Sequence, residues 1–258
     1  MRPQIHPERG KIAVGRRNRL RRRLFLSAQL ALLAFITIFV FFNSSFFKLT
    51  GFVVSGNSLV STSDITQATG FLPGENVWKL DLASGEAGVM AVPLILDAHI
   101  QRLWPNRVKV KVTERKALAQ IPVGSSILTV DSRGRILAVG DNLTASSLPM
   151  VTGVPVEDSV RPGVTLNSDE MALAVAALQA IGPDWTAKVG EVHVDKSGLV
   201  LLYLKGGVPV YVGRPGPELA AKMGSLTAVL ADLEKNHIVP EYIDLRYGDK
   251  PVVKPRGR

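Results

Sequence analysis

Residues 98–115 read AHIQRLWPNRVKVKVTER, and this stretch predicts the hairpin from which the surrounding fold can be worked out. Its second half, RVKVKVTE from Arg107 to Glu114, alternates apolar with basic residues for most of its length. A period of two is typical of a strand with one apolar and one charged face. The first half, Ala98–Leu103, also mixes apolar and polar residues, and Trp104–Asn106 supply a turn. We therefore expect two adjacent antiparallel strands.

The residues before this hairpin predict one more strand and two short helices. Phe52–Val54 is a β-forming run that ends at a Ser-Gly-Asn turn. Ser61–Asp64 supply N-cap residues for a helix that Gly70 ends, and Asp81 can cap a second helix that runs to Met90. The order strand, helix, helix, strand, strand favours a small sheet with two helices on one face.

Arg107, Lys109 and Lys111 form a basic stripe on the charged face of the predicted strand. Such a stripe could bind anionic lipid or an acidic partner. The simpler interpretation, which we prefer from the sequence, is the solvated outer face of a sheet.

An uncharged run, LFLSAQLALLAFITIFVFFNSSFF from Leu24 to Phe47, precedes these elements. A helix of this length extends for roughly 36 Å, which exceeds the hydrocarbon core of a bilayer at about 30 Å. The run therefore predicts a transmembrane helix that crosses with some tilt, and a helix satisfies its own backbone hydrogen bonds in lipid. Phenylalanines crowd its far end, where aromatic residues favour the membrane interface.

Positive charge is concentrated before this run. Residues 1–23 hold nine Lys and Arg residues and one acid, with Arg21, Arg22 and Arg23 beside the apolar run, whereas the other 235 residues hold 22 basic and 21 acidic residues. The positive-inside rule predicts a cytoplasmic N-terminus and an extracytoplasmic segment 48–258. A cleaved signal peptide would have a shorter apolar core and a small-x-small cleavage site, so we expect an uncleaved anchor. A surface that binds nucleic acid would need basic residues spread over a folded face, whereas here they lie beside an apolar run. We therefore expect the membrane, and not nucleic acid, to be the partner of this basic segment.

A second region, rich in predicted strands, begins at residue 122. Asp131–Gly134 and Asp195–Gly198 are turns between β-forming runs, and Leu148–Pro155 looks like an irregular connection. Helices are predicted at 169–181 and 218–234, with strands at 128–130, 136–139, 189–194, 199–204, 208–212, 242–247 and 252–253. The chain is thus predicted as an α+β protein with a basic cytoplasmic tail 1–23, a transmembrane helix 24–47, a first domain 48–121, a mixed β-domain with two helices 122–253, and a flexible tail 254–258.

No motif in the sequence points to catalysis or to metal binding. The nucleophile-elbow, phosphate-loop, zinc-protease and dinucleotide patterns are missing, and there is no cysteine. Glu191 and Asp195 could form an acidic pair, but their strand and turn positions favour two solvated carboxylates. The four histidines are not paired at ligand spacing, so we predict no metal, no cofactor and no catalytic residue. They are His6, His99, His193 and His237.

The last segment, Tyr242–Val253, is predicted as a pair of strands near the chain end. Pro251 cannot donate a ladder hydrogen bond, so it suits an edge strand. An open edge can accept a strand from another protein. The alternative, which chemistry alone favours, is an edge that Pro251 and Lys250 merely protect against aggregation.

Taken in order, several of these segments resemble the FtsQ/DivIB family of bacterial cell division proteins. The sequences Arg-Leu-Trp-Pro and Val-Thr-Glu-Arg of the first hairpin are similar to the R-x-W-P and V-x-E-R patterns in the closing hairpin of the family's POTRA domain. Leu128–Gly134 resembles the hairpin that follows it, and Tyr242–Tyr247 resembles the terminal Y-[IV]-D-L-R strand. The likeness covers essentially the whole chain, including the plan of basic tail, single anchor, POTRA domain and β-domain.

The resemblance implies a non-enzymatic scaffold of the division septum that binds the small division proteins FtsB and FtsL and coordinates septal peptidoglycan synthesis. In the family, FtsB adds a strand to the edge formed by the last strands, which favours the open-edge interpretation. Two features depart from the family pattern: Pro251 is expected to lie inside the final strand, and the tail is rich in Lys and Arg instead of aromatic residues. The binding residues that the resemblance implies are Tyr242, Arg246, Tyr247, Gly248, Val252 and Val253.

Two other classes of protein compete with this interpretation. A POTRA-containing transport or assembly component of the envelope would need several POTRA repeats or a β-barrel, and residues 122–258 predict neither. A membrane-tethered cell-wall enzyme would need a convergent set of catalytic residues, which the sequence does not offer.

Overall fold

The computed structural model describes residues 9–140, 147–156, 160–247 and 250–256. The helices within these ranges are α1 (Arg9–Phe42), α2 (Thr62–Ala68), α3 (Leu82–Met90), α4 (Asp169–Thr186) and α5 (Leu219–Lys235). The strands are β1 (Gly51–Ser55), β2 (Ile95–Leu103), β3 (Arg107–Glu114), β4 (Ala117–Val123), β5 (Ser126–Asp131), β6 (Ile136–Gly140), β7 (Met150–Thr152), β8 (Val189–Val194), β9 (Val200–Leu204), β10 (Pro209–Gly213), β11 (Pro240–Asp244) and β12 (Val252–Pro255).

Among the described residues, α1 is the one helix that is long and apolar enough to cross a membrane. Arg21, Arg22 and Arg23 lie within it, directly before its apolar part. The helix ends at Phe42, and a short 3-10 helix follows at Ser45–Phe47. The α-helical part of the apolar run is therefore shorter than predicted, at about 28 Å, which matches the thickness of a bilayer core.

The first domain has the order β1-α2-α3-β2-β3, which confirms the predicted arrangement of a POTRA domain. Its sheet has the strand order β1-β3-β2, with β1 parallel and β2 antiparallel to the central strand. The three valines of β3 are buried in one core with Ile65 of α2 and Val89 of α3. The three basic residues of β3 are exposed, so the predicted stripe lies on the outer face of this sheet.

Local interactions explain where the two short helices begin and how closely they pack. Ser61 caps α2 and Asp81 caps α3, and each side chain accepts the N–H of the residue three positions further on, at 3.1 and 3.2 Å. Gly88 lowers the helix propensity of α3, but it lies against α2, where a Cβ would overlap the carbonyl oxygen of Ala68. The close approach of the two helices therefore requires glycine at this position.

Two charged residues of the hairpin motifs hold loops of the first domain. Arg102 donates from Nε to the carbonyl oxygen of Val77 at 2.8 Å and from Nη2 to that of Leu80 at 2.7 Å. Glu114 accepts the backbone N–H groups of residues 58–60 at 2.8 to 3.0 Å. Burial alone would raise the pKa of Glu114, but these hydrogen bonds together hold its pKa below the ordinary value.

The second domain is built on a nine-stranded sheet in the order β12-β11-β10-β9-β8-β7-β4-β5-β6. The pairs β4–β7, β7–β8 and β10–β11 are parallel, and the other neighbours are antiparallel. α4 and α5 bury Leu178 and Met223 in one core with Val192 and Leu202 of the sheet. The predicted β-domain with two helices is therefore confirmed, and α5 is the crossover between the parallel strands β10 and β11.

The sequence does not predict two strands of this sheet. β7 lies within the stretch 148–155, where the interpretation as an irregular connection is wrong, because its three residues pair in parallel with β8 and Met150 also pairs in parallel with β4. β4 begins two residues after β3 and pairs with β5, so it lies across the predicted boundary at residue 121. The limits of the domains stay a prediction.

The two domains meet at Arg115, directly after β3. Its backbone N–H donates to the carbonyl oxygen of Leu94 at 2.8 Å, and its Nε donates to that of Ile95 at 3.0 Å. Its Nη1 lies 2.7 Å from Oδ2 of Asp131, at the end of β5 in the second sheet. One side chain thus links the start of β2, the end of β3 and the β5–β6 turn.

Candidate partner-binding edge of the second sheet

β12 is an edge strand of the nine-stranded sheet and pairs with β11 alone. The register places Asp244 opposite Val252 and Tyr242 opposite Lys254, and Arg256 N–H closes the end of the pair on Val239 O at 2.8 Å. An edge strand leaves alternate backbone N–H and C=O groups without a partner strand. This edge therefore has backbone groups that a further strand could bind.

Two prolines limit the length of this edge. Pro251 lies directly before β12, and Pro255 is its last residue, so the chain has no N–H to donate at either of these two positions. The prediction that Pro251 lies inside the final strand is wrong by one residue. The strand also runs past Lys254, where the sequence predicts the start of a tail. The donors of the outer edge must therefore come from residues 252–254.

The side chains of β12 divide between the core and the surface. Val253 packs against the hydrophobic core of the second domain, while Val252 is 47% exposed. Lys254 lies on the surface, forms an ion pair with Glu241 at 3.1 Å, and has its Nζ 5.7 Å from the centre of the Tyr242 ring. The strand is held by the core on one face and carries an apolar and a basic side chain on the other.

The neighbouring strands provide a firm support for this edge. Ile243 of β11 and Val210 of β10 are fully buried and lie side by side in the parallel pair. On the opposite face, the Tyr211 and Tyr242 rings meet edge to face at 5.6 Å between centres. Tyr242, one of the predicted site residues, is therefore a half-buried part of the support rather than an exposed contact.

β11 ends at Asp244, and the predicted continuation of this strand to Tyr247 is wrong. The Asp244 carboxylate accepts the backbone N–H of Arg246 at 2.9 Å and its guanidinium at 2.6 to 3.1 Å. This short local loop turns the chain out of the sheet. The Arg246 side chain lowers the pKa of Asp244, and burial opposes that effect only in part.

Arg246 and Tyr247 lie together beyond the end of β11. The Arg246 guanidinium lies 5.2 Å from the Tyr211 ring centre and 5.8 Å from the Tyr247 ring centre. Tyr247 is 67% exposed, which is high for a large apolar side chain. Gly248, the next predicted site residue, lies outside the described residues.

The structure thus brings five predicted residues together around β11 and β12, namely Tyr242, Arg246, Tyr247, Val252 and Val253. It adds Asp244 and Tyr211, which sequence reasoning does not assign to the site. The Asp-x-Arg spacing of residues 244–246 is a signal that could have identified Asp244. No local signal identifies Tyr211, because it lies on β10, which comes before α5 in the chain, whereas the other residues of the site come after α5.

The opposite edge of the sheet is more fully covered. Ile136 at the start of β6 donates its N–H to Val164 O at 2.8 Å and accepts the N–H of Gly163 at 2.8 Å. Only the end of β6 is exposed, including Val139 at 39%. Within the described residues, β12 is thus the edge of this sheet whose whole length is free of such a cover.

The titratable groups elsewhere in the sheet serve local structure. Thr152 Oγ1 donates to Glu191 Oε1 at 2.6 Å and lies 2.8 Å from Nδ1 of His193, while Asp195 accepts hydrogen bonds within its own turn. Glu191 and Asp195 therefore do not form an acidic pair. No cluster of three or more possible metal ligands occurs in the part of the chain that the structure describes.

These features define a class of protein: a membrane-anchored chain with one POTRA domain and a strand-rich second domain that ends at an open edge. A family model described as "POTRA domain, FtsQ-type" matches residues 47–115. A second model, "Cell division protein FtsQ/DivIB, C-terminal", matches residues 118–246. The chain therefore belongs to the FtsQ/DivIB family of bacterial cell division proteins.

Relatives from several bacteria agree with this membership. The cell division protein FtsQ of Geotalea daltonii is 29% identical over 217 residues, which cover 82% of this chain and 77% of that protein. FtsQ of Geobacter sp. strain M21 is 29% identical over 80% of this chain and 76% of that protein. The extracytoplasmic domain of DivIB from Geobacillus stearothermophilus matches 48% of this chain and 98% of that structure, with 18% identity and a TM-score of 0.34. The assignment of the chain to this family therefore rests on the sequence matches and not on this structural match.

Proposed function

We propose that this chain is a non-enzymatic scaffold of the bacterial division septum. It binds FtsB and FtsL outside the cytoplasm and thereby coordinates septal peptidoglycan synthesis. The single observation that supports this proposal most is the open edge of β12, which lies shortly after the region that matches the family's C-terminal domain, residues 118–246.

FtsB binds by adding a strand along β12. The outward-facing N–H and C=O groups among residues 252–254 supply the main-chain hydrogen bonds, which give affinity without requiring a particular sequence. Specificity comes from the side chains around the edge, where Tyr247 offers an exposed ring and Arg246 a cation that Asp244 holds in place. The two prolines restrict pairing to a short segment, so side-chain contacts must supply much of the binding energy.

The anchor presents this edge in the correct compartment. The basic residues before the apolar part of α1 keep the N-terminus in the cytoplasm, so the POTRA domain and the β-domain lie on the outer side of the inner membrane. The chain then acts as a single-pass type II protein at the septum. A reporter fused after Arg258 should be active outside the cytoplasm, and activity confined to the cytoplasm would refute this topology.

The binding edge is tested by substituting Tyr247→Lys in the full-length protein. The ring is mostly exposed, so the variant should keep its thermal unfolding curve while its recovery of FtsB in a pull-down falls. Val139→Lys is a matched control, because it introduces the same charge at the opposite edge of the sheet. Equal recovery of FtsB by both variants would contradict the assignment of the site to β12.

A crosslinking experiment tests the partner without assuming its identity. A photo-reactive amino acid at position 247 should capture FtsB in dividing cells, whereas the same group at position 139 should not. Capture of FtsB from both positions, or from neither, would count against strand addition at β12.

A further inference from the structure

The end of the membrane helix is joined to the first domain by hydrogen bonds rather than by a loose linker. Asn76 Nδ2 donates to Phe42 O at 2.6 Å, and Lys79 Nζ donates to Asn43 Oδ1 at 3.0 Å. Leu49 N–H also donates to Glu75 O at 2.7 Å. The loop of residues 74–79 is thus fixed to the last turn of α1.

Aromatic side chains from both sides of this joint form one cluster. The Phe47 ring is 6% exposed and lies at its centre, 5.8 Å from the Phe42 ring, 6.0 Å from Trp78 and 6.2 Å from Trp104. The two indoles are also in contact, with ring centres 4.0 Å apart. Trp78 and Trp104 remain 46% and 47% exposed, and Phe46 beside them is 57% exposed.

The membrane helix sets the depth of this cluster. The helix from Leu24 to Phe42 matches the hydrocarbon thickness, at about 28 Å against about 30 Å, so Phe42 lies at the boundary of the bilayer core. The Trp78 ring is 5.1 Å from the Phe42 ring and therefore lies at the level of the lipid headgroups. Tryptophan is favoured at this depth, because its ring is apolar and its N–H can bind water or headgroups.

Basic residues lie close in the chain to the exposed aromatic residues. Lys48 and Lys79 are exposed on the two strands of chain that pass the helix end, and Arg107 follows the turn that carries Trp104. Long cationic side chains at this level can lay their stems on apolar groups and extend the charge to lipid phosphates. The exposed aromatic residues thus have exposed cationic residues near them in the chain.

We infer that the first domain rests on the outer surface of the bilayer through Trp78, Trp104 and Phe46, with Lys48 and Lys79 directed toward lipid headgroups. The lipid surface is the partner that fits, because the cluster is continuous with the membrane-spanning helix. The domain is then held in one orientation on the membrane instead of turning freely about a flexible stalk. This inference requires only that α1 spans the membrane, and it does not depend on the proposed binding of FtsB.

The three tryptophans of the chain allow a direct test, since Trp185 is 8% exposed within the second domain. Full-length variants that keep one tryptophan, with the other two changed to Phe, are placed in phosphatidylcholine and phosphatidylglycerol nanodiscs. Lipids brominated near the headgroup end of the acyl chain should reduce the emission of Trp78 and of Trp104, and leave that of Trp185 unchanged. Emission from Trp78 and Trp104 that is the same with and without bromine would overturn the inference.

A second measurement keeps all three tryptophans in place. The chain has no cysteine, so a single cysteine can carry an environment-sensitive dye at Leu72→Cys or at Leu59→Cys. Leu72 is 64% exposed and lies next to the loop that is bound to the end of α1. Leu59 is 71% exposed, and its backbone N–H donates to Glu114 at the opposite end of β3. Brominated lipid should quench the dye at position 72 and leave position 59 unaffected. Equal quenching at the two positions would show that the domain does not rest on this surface.

Discussion

Two turns of the second sheet have the same local structure but different surroundings. The β5–β6 turn reads DSRGR from Asp131, and the β8–β9 turn reads DKSGL from Asp195. In each turn the aspartate Oδ1 accepts the N–H groups two and four residues further on, at 2.8 and 2.9 Å. Each glycine has a positive φ, 72° and 78°, and donates its N–H to the aspartate carbonyl at 3.0 Å.

The two aspartates differ in what the second carboxylate oxygen contacts. Asp131 is 3% exposed, and its Oδ2 receives Nη1 of Arg115 from the junction of the two domains. Asp195 is half-buried, and the hydroxyl of Ser197, within the same turn, donates to its Oδ1 at 2.6 Å rather than to the second oxygen. One turn thus connects two domains, and the other only reverses the chain.

The comparison shows that the motif of the turn and its structural role are separate properties. The local hydrogen bonds explain why both aspartates and both glycines are needed to form the hairpins. They do not explain the burial of Asp131, which follows from its contact with the Arg115 side chain. The variants described below test how much of the stability of this protein comes from the contact between Asp131 and Arg115.

The largest expected effect is that of Asp131→Ala. It removes the acceptor for two backbone N–H groups and leaves the nearly buried guanidinium of Arg115 without its carboxylate. Removing one partner of a buried ion pair commonly costs about 3 kcal/mol or more. We expect a loss of this size in the free energy of unfolding, measured by urea titration of the full-length protein in detergent.

Asp195→Ala is the matched control, because it removes the same turn hydrogen bonds without an ion pair. It should destabilise the protein clearly less than Asp131→Ala. Equal losses would mean that the turn alone, and not its contact with Arg115, determines the stability contributed by Asp131.

The sequence predicts both turns and most elements around them, because caps, turns and a period of two are local properties. It predicts the two long helices for the same reason, although α4 includes a kink at Gly182, with φ 75°, where the sequence predicts its end. It does not predict β4 or β7, since short strands are stabilised by their neighbours rather than by their own composition. The contact of Arg115 with Asp131 also has no local signature.

The candidate binding edge was predictable only in part for a similar reason. The composition of the last segment predicts strands, and Pro251 indicates an edge, but whether a strand lies at an edge depends on the order of all nine strands. The end of β11 at Asp244 depends on how the Arg246 side chain folds back. The prediction from spacing alone therefore continued the strand three residues too far.

The second prediction measures the link between the two domains directly. In a double-mutant cycle, Arg115→Ala and Asp131→Ala should be strongly non-additive, because each single change removes the same contact. Coupling energies for such hydrogen-bonded charges are about 2 kcal/mol. The measurement is the free energy of unfolding of the two single variants and the double variant.

A parallel cycle of Arg115→Ala with Asp195→Ala is the control for this coupling. No contact joins Arg115 to the β8–β9 turn among the described residues, so the two losses should add. A coupling in this control as large as that with Asp131 would contradict the direct link.

The third prediction compares the two glycines. At Gly134 a Cβ would lie 3.0 Å from Leu166 O and 3.2 Å from Met171 Cγ, whereas at Gly198 it would lie 3.2 Å from the flexible end of Leu173. Left-handed backbone costs a non-glycine residue about 1 kcal/mol at either position. Gly134→Ala should therefore be more destabilising than Gly198→Ala, by about 1 kcal/mol for the contact with fixed backbone. Thermal unfolding of both variants tests the order, and the reverse order would contradict the tighter packing of the first turn.

The smallest expected effect is a dependence on pH. Burial alone would raise the pKa of Asp131, but hydrogen bonds from Arg115, Arg135 and Arg133 hold its pKa below the ordinary value of an aspartate. Because the folded pKa is depressed, the stabilisation is fully present above the unfolded pKa and is lost as the pH falls through the folded value. The difference in unfolding free energy between the wild type and Asp131→Asn should thus be constant near neutral pH and shrink as the pH falls below the unfolded pKa of aspartate, about 3.9. In an Arg115→Ala background the total loss should be smaller and should be complete at a higher pH, because one of the groups that lower the folded pKa is gone. A loss of the same size, complete at the same pH in both backgrounds, would show that the hydrogen bonds of the turn lower this pKa without a contribution from Arg115.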